Sequence, residues 1–198
     1  MKPIERGEVL GIADYETIRA QFRARVIEEK KRRRVAIGSK VTAVFENRDT
    51  VLMQIQEMLR TERISREGAI LHEIETYNQL VPGVGELSLT LMIEIPDNAE
   101  RDAFLVAARG FERHVVLVVG GERMRATWDP ARESADRTTA VHYLKFALTK
   151  RALASLRGAT SPDSTIAHVE IEIDHPAYPT RAPLPAETIV SLGEDLAG

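Results

Sequence analysis

The chain has 198 residues, a formal net charge of −3 and no cysteine, with 43% apolar and 29% charged residues. That length and balance fit one folded domain with a sizeable core, and argue against disorder. The lack of cysteine excludes disulfides, thiolate catalysis and thiolate-held zinc or iron–sulfur groups from this chain. The small net charge gives no general attraction to nucleic acid or anionic membrane.

The first ten residues hold no apolar run of signal-peptide kind, and no stretch approaches about 18 consecutive apolar residues. A cytoplasmic protein without a membrane span is expected. Residues 14–34 are expected to form a helix, with Asp14 as its cap and Tyr15, Ile18, Phe22 and Val26 at helical spacing. Glu28/Arg32 and Glu29/Arg33 are (i, i+4) pairs in the favourable order, and the basic run 30–34 complements the helix dipole. That run reads most simply as a solvated helix end, since interleaved surface aromatics for nucleic-acid binding are missing.

Residues 35–45 read as a strand broken near Gly38 and Ser39 into a hairpin. Residues 49–61 form an amphipathic helix, with Val51, Leu52, Ile55, Met58 and Leu59 on one face. Ser65 is placed to cap the next helix, which carries Ile70, Leu71, Ile74 and Tyr77. The short gap between the two helices predicts an antiparallel pair.

After the turn signal Pro82-Gly83, residues 85–95 alternate cleanly, with Leu87, Leu89, Leu91, Ile93 and Ile95 on one face. A short helix over 98–109 is closed by Gly110. Residues 114–119 and 122–128 flank Gly120-Gly121, a two-residue hairpin turn. Residues 129–138 read as a polar loop, 139–148 as a strand, 150–156 as a helix and 165–174 as a strand. Residues 175–198 read as an extended, proline-rich tail ending in a short helix from Ala186. Together these predict an α+β fold: a mostly antiparallel sheet with helices packed mainly on one face, in a single domain over 1–198.

The stretch Phe45-Glu46-Asn47-Arg48-Asp49-Thr50 carries the sharpest chemical signal. On a wheel of about 100° per residue, Arg48 falls inside the apolar arc of its helix. A guanidinium aimed at a core needs partners. In an antiparallel helix pair, Glu75 and Asn78 of the next helix would reach it, with Glu46, Asn47 and Gln54 nearby. The plainer outcome is an ion pair fixing two helices. The functional one is a site for an anion or carboxylate. Glu86, Ser88 and Thr90 would continue such a site, unless they form only a solvated sheet face.

His142 alternates in phase with Leu144, Phe146 and Leu148, so a satisfied core histidine is the simpler reading. His175, in Asp174-His175-Pro176, sits at a strand end, where a general base or ligand is a second possibility. His72, Glu75 and Glu57 have the residue types of a helix-borne iron or manganese site, but in reversed order and once only, so no metal or cofactor is assigned. Walker A, Gly-x-Ser-x-Gly and His-Glu-x-x-His patterns are absent, and Gly83-Val84-Gly85 precedes a strand rather than a helix.

The chain resembles the bacterial family named domain of unknown function 3501. The resemblance rests on Phe45-Glu46-Asn47-Arg48-Asp49-Thr50, Gln54-Ile55-Gln56-Glu57-Met58, Glu75-Thr76-Tyr77-Asn78, Gly85-Glu86-Leu87-Ser88, Ala140-Val141-His142-Tyr143-Leu144 and Asp174-His175-Pro176-Ala177-Tyr178, and spans about residues 1–190. Members of that family are often encoded beside rubrerythrin-like proteins and iron–sulfur oxidoreductases. The resemblance therefore implies a role in redox or peroxide-stress metabolism, and supplies no catalytic residue. Two expectations follow. One is an accessory protein with a rubrerythrin-like or iron–sulfur partner. The other is an enzyme or small-anion binder using Glu46, Asn47, Arg48, Gln54, Glu75, Asn78 and Glu86, with His142 or His175 as proton carrier.

Overall fold

Alternation of apolar and polar residues sets the strands. In the computed structural model, which describes residues 1–159 and 168–197, β1 (Arg34–Ile37), β2 (Val41–Glu46), β3 (Glu86–Ile93) and β6 (Val141–Ala147) form one antiparallel sheet in the order β1-β2-β3-β6. A second antiparallel sheet has the order β5-β4-β7-β8, from β4 (Val115–Val119), β5 (Glu122–Arg125), β7 (Val169–Ile173) and β8 (Thr180–Pro183). The α+β antiparallel architecture is as expected, but the strands divide between two sheets rather than extending one. The expected strand start at 165–167 lies outside the described residues.

The glycines of the β4–β5 turn take φ of 55° and 85°, the positive values a tight two-residue hairpin requires. The sheets meet at two seams. Thr127 and Lys145 exchange backbone hydrogen bonds of 2.8 and 2.9 Å, joining the segment after β5 to β6. β1 lies beside β8 at the other seam, where the Tyr178 hydroxyl accepts from Lys40 N (3.0 Å) and donates to Ile37 O (2.8 Å). The stretch expected to be an extended tail thus supplies an edge strand. Pro183 is tolerated there because an edge residue owes no second ladder bond.

The inward faces make one apolar core, with Phe45, Leu89, Leu91, Leu117, Leu144, Phe146 and Ile171 fully buried. Each such side chain contributes about 1.5–3 kcal/mol on leaving water. α4 (Asn98–Ala107), α5 (Lys150–Arg157) and α6 (Ala186–Ala197) join this core through Phe104, Leu156 and Leu192. α6 is more than the short tail helix expected, with seven of its residues buried.

A second apolar cluster lies outside the first sheet. It unites α2 (Arg48–Thr61), α3 (Glu67–Asn78) and the N-terminal segment through Val51, Ile55, Leu59, Ile70, Ile74, Ile4 and Val9. α1 (Ile12–Arg32) docks on α2 through Glu57, which accepts from Tyr15 Oη (2.7 Å) and from Arg19 Nε and Nη2 (2.8 and 3.0 Å). Two expected caps differ. Gly11 rather than Asp14 caps α1, and Arg66 rather than Ser65 precedes α3.

Candidate functional site

The structure separates the residues that the sequence grouped. Arg48 begins α2 and is half-buried, but it does not reach Glu75 or Asn78. Its Nε donates to Lys2 O (2.8 Å), and its Nη2 donates to Pro3 O (3.1 Å) and Glu8 Oε2 (2.5 Å). Asn78 holds the same segment, accepting from Ile4 N (2.8 Å) and donating to Ile4 O (2.9 Å). The physical reason is the N-terminal strap. Ile4 and Val9 plug the space between the two helices, and the polar residues around that space grip the strap's backbone. Arg48 in turn holds the Glu8 carboxyl below its ordinary value. Glu75 is exposed on α3, as is His72, and Glu57 is engaged by α1, so neither the anion group nor the iron-type trio forms around Glu75.

Glu46, Gln54 and Asn47 do cluster. Glu46 is 3% exposed at the end of β2. Its carboxylate accepts from the Thr50 hydroxyl, Thr90 Oγ1 (2.6 Å) and Gln54 Nε2 (3.2 Å). Asn47 caps α2, accepting from Thr50 N (3.0 Å). These contacts seat α2 on the outer face of the first sheet, and they give the buried carboxylate three neutral donors.

The arginine turned inward is Arg33, not Arg48. It is 1% exposed and is the largest fully buried side chain. Its Nε donates to Glu29 Oε1 (2.6 Å), and its Nη1 stands 2.7 Å from Asp195 Oδ2 without a hydrogen-bond angle. Glu29 Oε1 also accepts from Asn47 Nδ2 (3.3 Å) and Ser191 Oγ (3.4 Å), so one carboxylate joins α1, the start of α2 and α6. Burial pushes the Asp195 carboxyl above its ordinary value, against the pull of Arg33. Burial acts on Glu29 too, but Arg32 and Arg33 together hold it below. The signal was present in the sequence: Arg33 follows Val26 by seven residues, on the stripe of Tyr15 and Phe22.

His142 is buried, as expected of a core position. Its Nε2 lies 3.2 Å from Thr138 Oγ1, whose hydroxyl donates to Glu112 Oε2 (3.2 Å), so the ring nitrogen is the donor in that pair. His175 also has its tautomer fixed. Nε2 lies 3.1 Å from Arg109 O, which only accepts, and Nδ1 accepts from Ala177 N (3.1 Å). Both nitrogens of His175 thus pin the turn after β7. The two histidines flank Phe111, with centroid distances of 6.0 and 5.8 Å.

Burial holds the His142 imidazole below its ordinary value, while Glu112 pulls the other way. An unfolded histidine titrates near pH 6.5. The folded ring resists the proton, so its contribution to stability is complete above that pH. It is lost as pH falls through about 6.5 toward the folded value. The carboxyls of Glu29, Glu57, Glu172 and Asp174 are held below their ordinary values, so the loss of their contribution begins at lower pH than that of His142. Urea unfolding should therefore show stability declining as pH falls below about 6.5, and a shallower decline in His142→Gln. Equal slopes in the two proteins would assign the effect elsewhere.

Glu86 accepts from Lys145 Nζ (2.9 Å) and from Gly83 N (2.8 Å). Lys145 lines a cleft of about 320 Å³ between the end of α3, the outer face of β3 and β6, and the segment 127–132. Ser88, Trp128, Arg132 and Tyr143 also line it. In register, Glu46 faces Ser88 and Ser88 faces Lys145, so three strands present one polar row. Ser88 was expected on this face. Lys145, Trp128 and Arg132 were not, because the 129–138 loop gives no periodic signal to place them.

Two antiparallel sheets with an external helical pair, and polar residues mostly bound to the chain's own backbone and side chains, define an α+β protein with a polar cleft against the outer face of the first sheet. The chain belongs to the family described as Protein of unknown function (DUF3501), whose model matches residues 3–196. It is similar to a crystal structure described as a novel protein of unknown function from Burkholderia pseudomallei, with 36% identity and a TM-score of 0.89, covering 98% of this chain and 100% of that one. No curated protein matches the chain.

Proposed function

We propose that this chain is a cytoplasmic accessory protein of redox or peroxide-stress metabolism, docking onto a rubrerythrin-like or iron–sulfur protein rather than performing the redox step itself. One observation carries the accessory reading. The groups that the sequence marks for chemistry are occupied by the fold: Arg48 and Asn78 hold the N-terminal backbone, Glu46 holds α2, and His175 holds a turn through both ring nitrogens. The family resemblance supports the redox context through the genes that accompany its members. The alternative, an enzyme or anion binder around Arg48, draws less support, since that guanidinium is already shared among two carbonyls and a carboxylate.

The test is retention between purified proteins. The chain, immobilised at micromolar concentration, is mixed with purified rubrerythrin-like and iron–sulfur proteins of the same organism. One of them should be retained in stoichiometric amount and should survive physiological salt. Neither being retained at about 10 μM would remove the reading, because an accessory role needs at least that affinity.

A further inference from the structure

The geometry points to the cleft beside Ser88 as a binding site for a small planar carboxylate, with Ser88 and Lys145 holding the carboxylate and Trp128 and Tyr143 flanking the ring. The observation behind it is an orphaned donor. Ser88 is 1% exposed, yet its hydroxyl has no hydrogen-bond partner among the described residues. A buried hydroxyl left without a partner is costly, and natural folds rarely keep one without use. This one lines an open cleft rather than a sealed core.

Across the β3–β6 ladder from Ser88 lies Lys145, and both side chains project to the same face. The ammonium has three donors. Among the described residues two are engaged, by Glu86 Oε2 (2.9 Å) and Val81 O (3.2 Å), which leaves one for a ligand. A hydroxyl and an ammonium N–H side by side suit the two oxygens of one carboxylate, and the charge-assisted bond is the stronger of the two.

The walls choose the rest of the ligand. The Arg132 guanidinium sits 4.8 Å over the Tyr143 ring, and Trp128 lies beside it with Nε1 donating to Glu133 Oε1 (2.5 Å). These flat surfaces favour a flat partner. Arg132 adds a second cation at the rim. The acidic groups nearby are already engaged, Glu86 by Lys145 at 2.9 Å and Asp129 by Arg132 at 3.7 Å. Asp129 accepts from Ala131 N (3.0 Å), and Glu46 from Thr50, Thr90 and Gln54.

Trp128 is the only tryptophan in the chain and lines both this cleft and the neighbouring pocket at Glu112 and His142, so its fluorescence reports binding and the Ser88 and Lys145 variants assign it to this cleft. Benzoate is the probe, with benzamide as its neutral counterpart and inorganic phosphate as the anion without a ring. For a ligand of this size, a dissociation constant on the order of 1 mM is expected. Benzoate should change the Trp128 signal saturably, benzamide should bind about tenfold more weakly, and phosphate should not compete in the same range. Arg132→Gln, on an exposed turn, should weaken benzoate severalfold.

Ser88→Ala separates a binding role from a structural one. It should abolish saturation while raising Tm, because it deletes an unpartnered buried donor. Lys145→Met should also abolish saturation, and if that variant does not fold, Ser88→Ala and Arg132→Gln carry the test. A benzoate response that survives Ser88→Ala, equal binding of benzamide, or no saturation by about 50 mM would each overturn the assignment.

Discussion

Replacing Arg33 by methionine is expected to cost about 3–5 kcal/mol, the range for removing one partner of a buried ion pair. Methionine keeps the packing of the aliphatic stem, so the loss is mainly that of the buried guanidinium. What remains is Asp195 without a cation, since Glu29 retains Arg32. For a chain of this size that loss lowers Tm on the order of 10 °C. The damage should concentrate on α6, which Arg33 anchors through Asp195 while Thr188 Oγ1 donates to Arg32 O (2.6 Å). Hydrogen exchange should therefore quicken in α6 before it quickens in β3.

The companion variant decides the cause. Arg33→Met with Asp195→Leu removes both charges, and it should recover more than half of the loss, because a well-packed apolar pair replaces an ion pair at little cost. The deficit of the single variant should also shrink toward pH 5. An unpaired buried carboxyl has a folded pKa above its unfolded one, so its neutral form stabilises at low pH and that help is lost as pH rises. A loss under about 1 kcal/mol in Arg33→Met, measured by urea unfolding, would show that the buried cation does not hold the helix.

How far the sequence disclosed this fold depends on the range of the interaction. Alternation over 86–95 specified β3 and its buried face, and the paired glycines specified the β4–β5 turn, because both signals are local. The division into two sheets was hidden. It requires β4 to pair with β7, across some 50 residues of chain, and no local pattern encodes that choice. β8 was hidden for another reason: four residues ending in proline carry the composition of a tail, and only the neighbouring strand makes them a sheet edge.

The polar residues follow the same division. The wheel for α2 was correctly phased, with Val51, Ile55 and Leu59 buried. It failed for Arg48 because the first ten residues, with no periodicity of their own, fold back to occupy that space. An inward guanidinium was the right kind of feature to seek, but it lay in the basic run at 30–34, where four neighbouring charges conceal one buried side chain. The row Glu46, Ser88 and Lys145 could not be read at all from one strand, since it exists only in the register of three.

Gly38→Ala is the second large effect, expected at about 2–4 kcal/mol. Gly38 has φ of +67°, a left-handed conformation that costs any residue with a Cβ about 1–2 kcal/mol. A methyl group there would also overlap the Tyr178 hydroxyl and come within 3.1 Å of its Cζ and 3.3 Å of Thr180 Cγ2. The tyrosine has little room to yield. Its hydroxyl closes the β1–β2 turn through Lys40 N and Ile37 O, and its ring meets Phe104 edge-on at 5.7 Å. Displacing it would cost two further hydrogen bonds of about 1 kcal/mol each and would open the seam between β1 and β8. The overlap and the backbone strain separate in a double-mutant cycle. In a Tyr178→Phe background the hard overlap with the oxygen is gone, so Gly38→Ala should cost mainly the left-handed strain of about 1–2 kcal/mol, with the close contacts to the ring and Thr180 relieved by small shifts. Additive costs in urea unfolding would mean that the hydroxyl and the glycine act independently, and that the seam is not fastened at this turn.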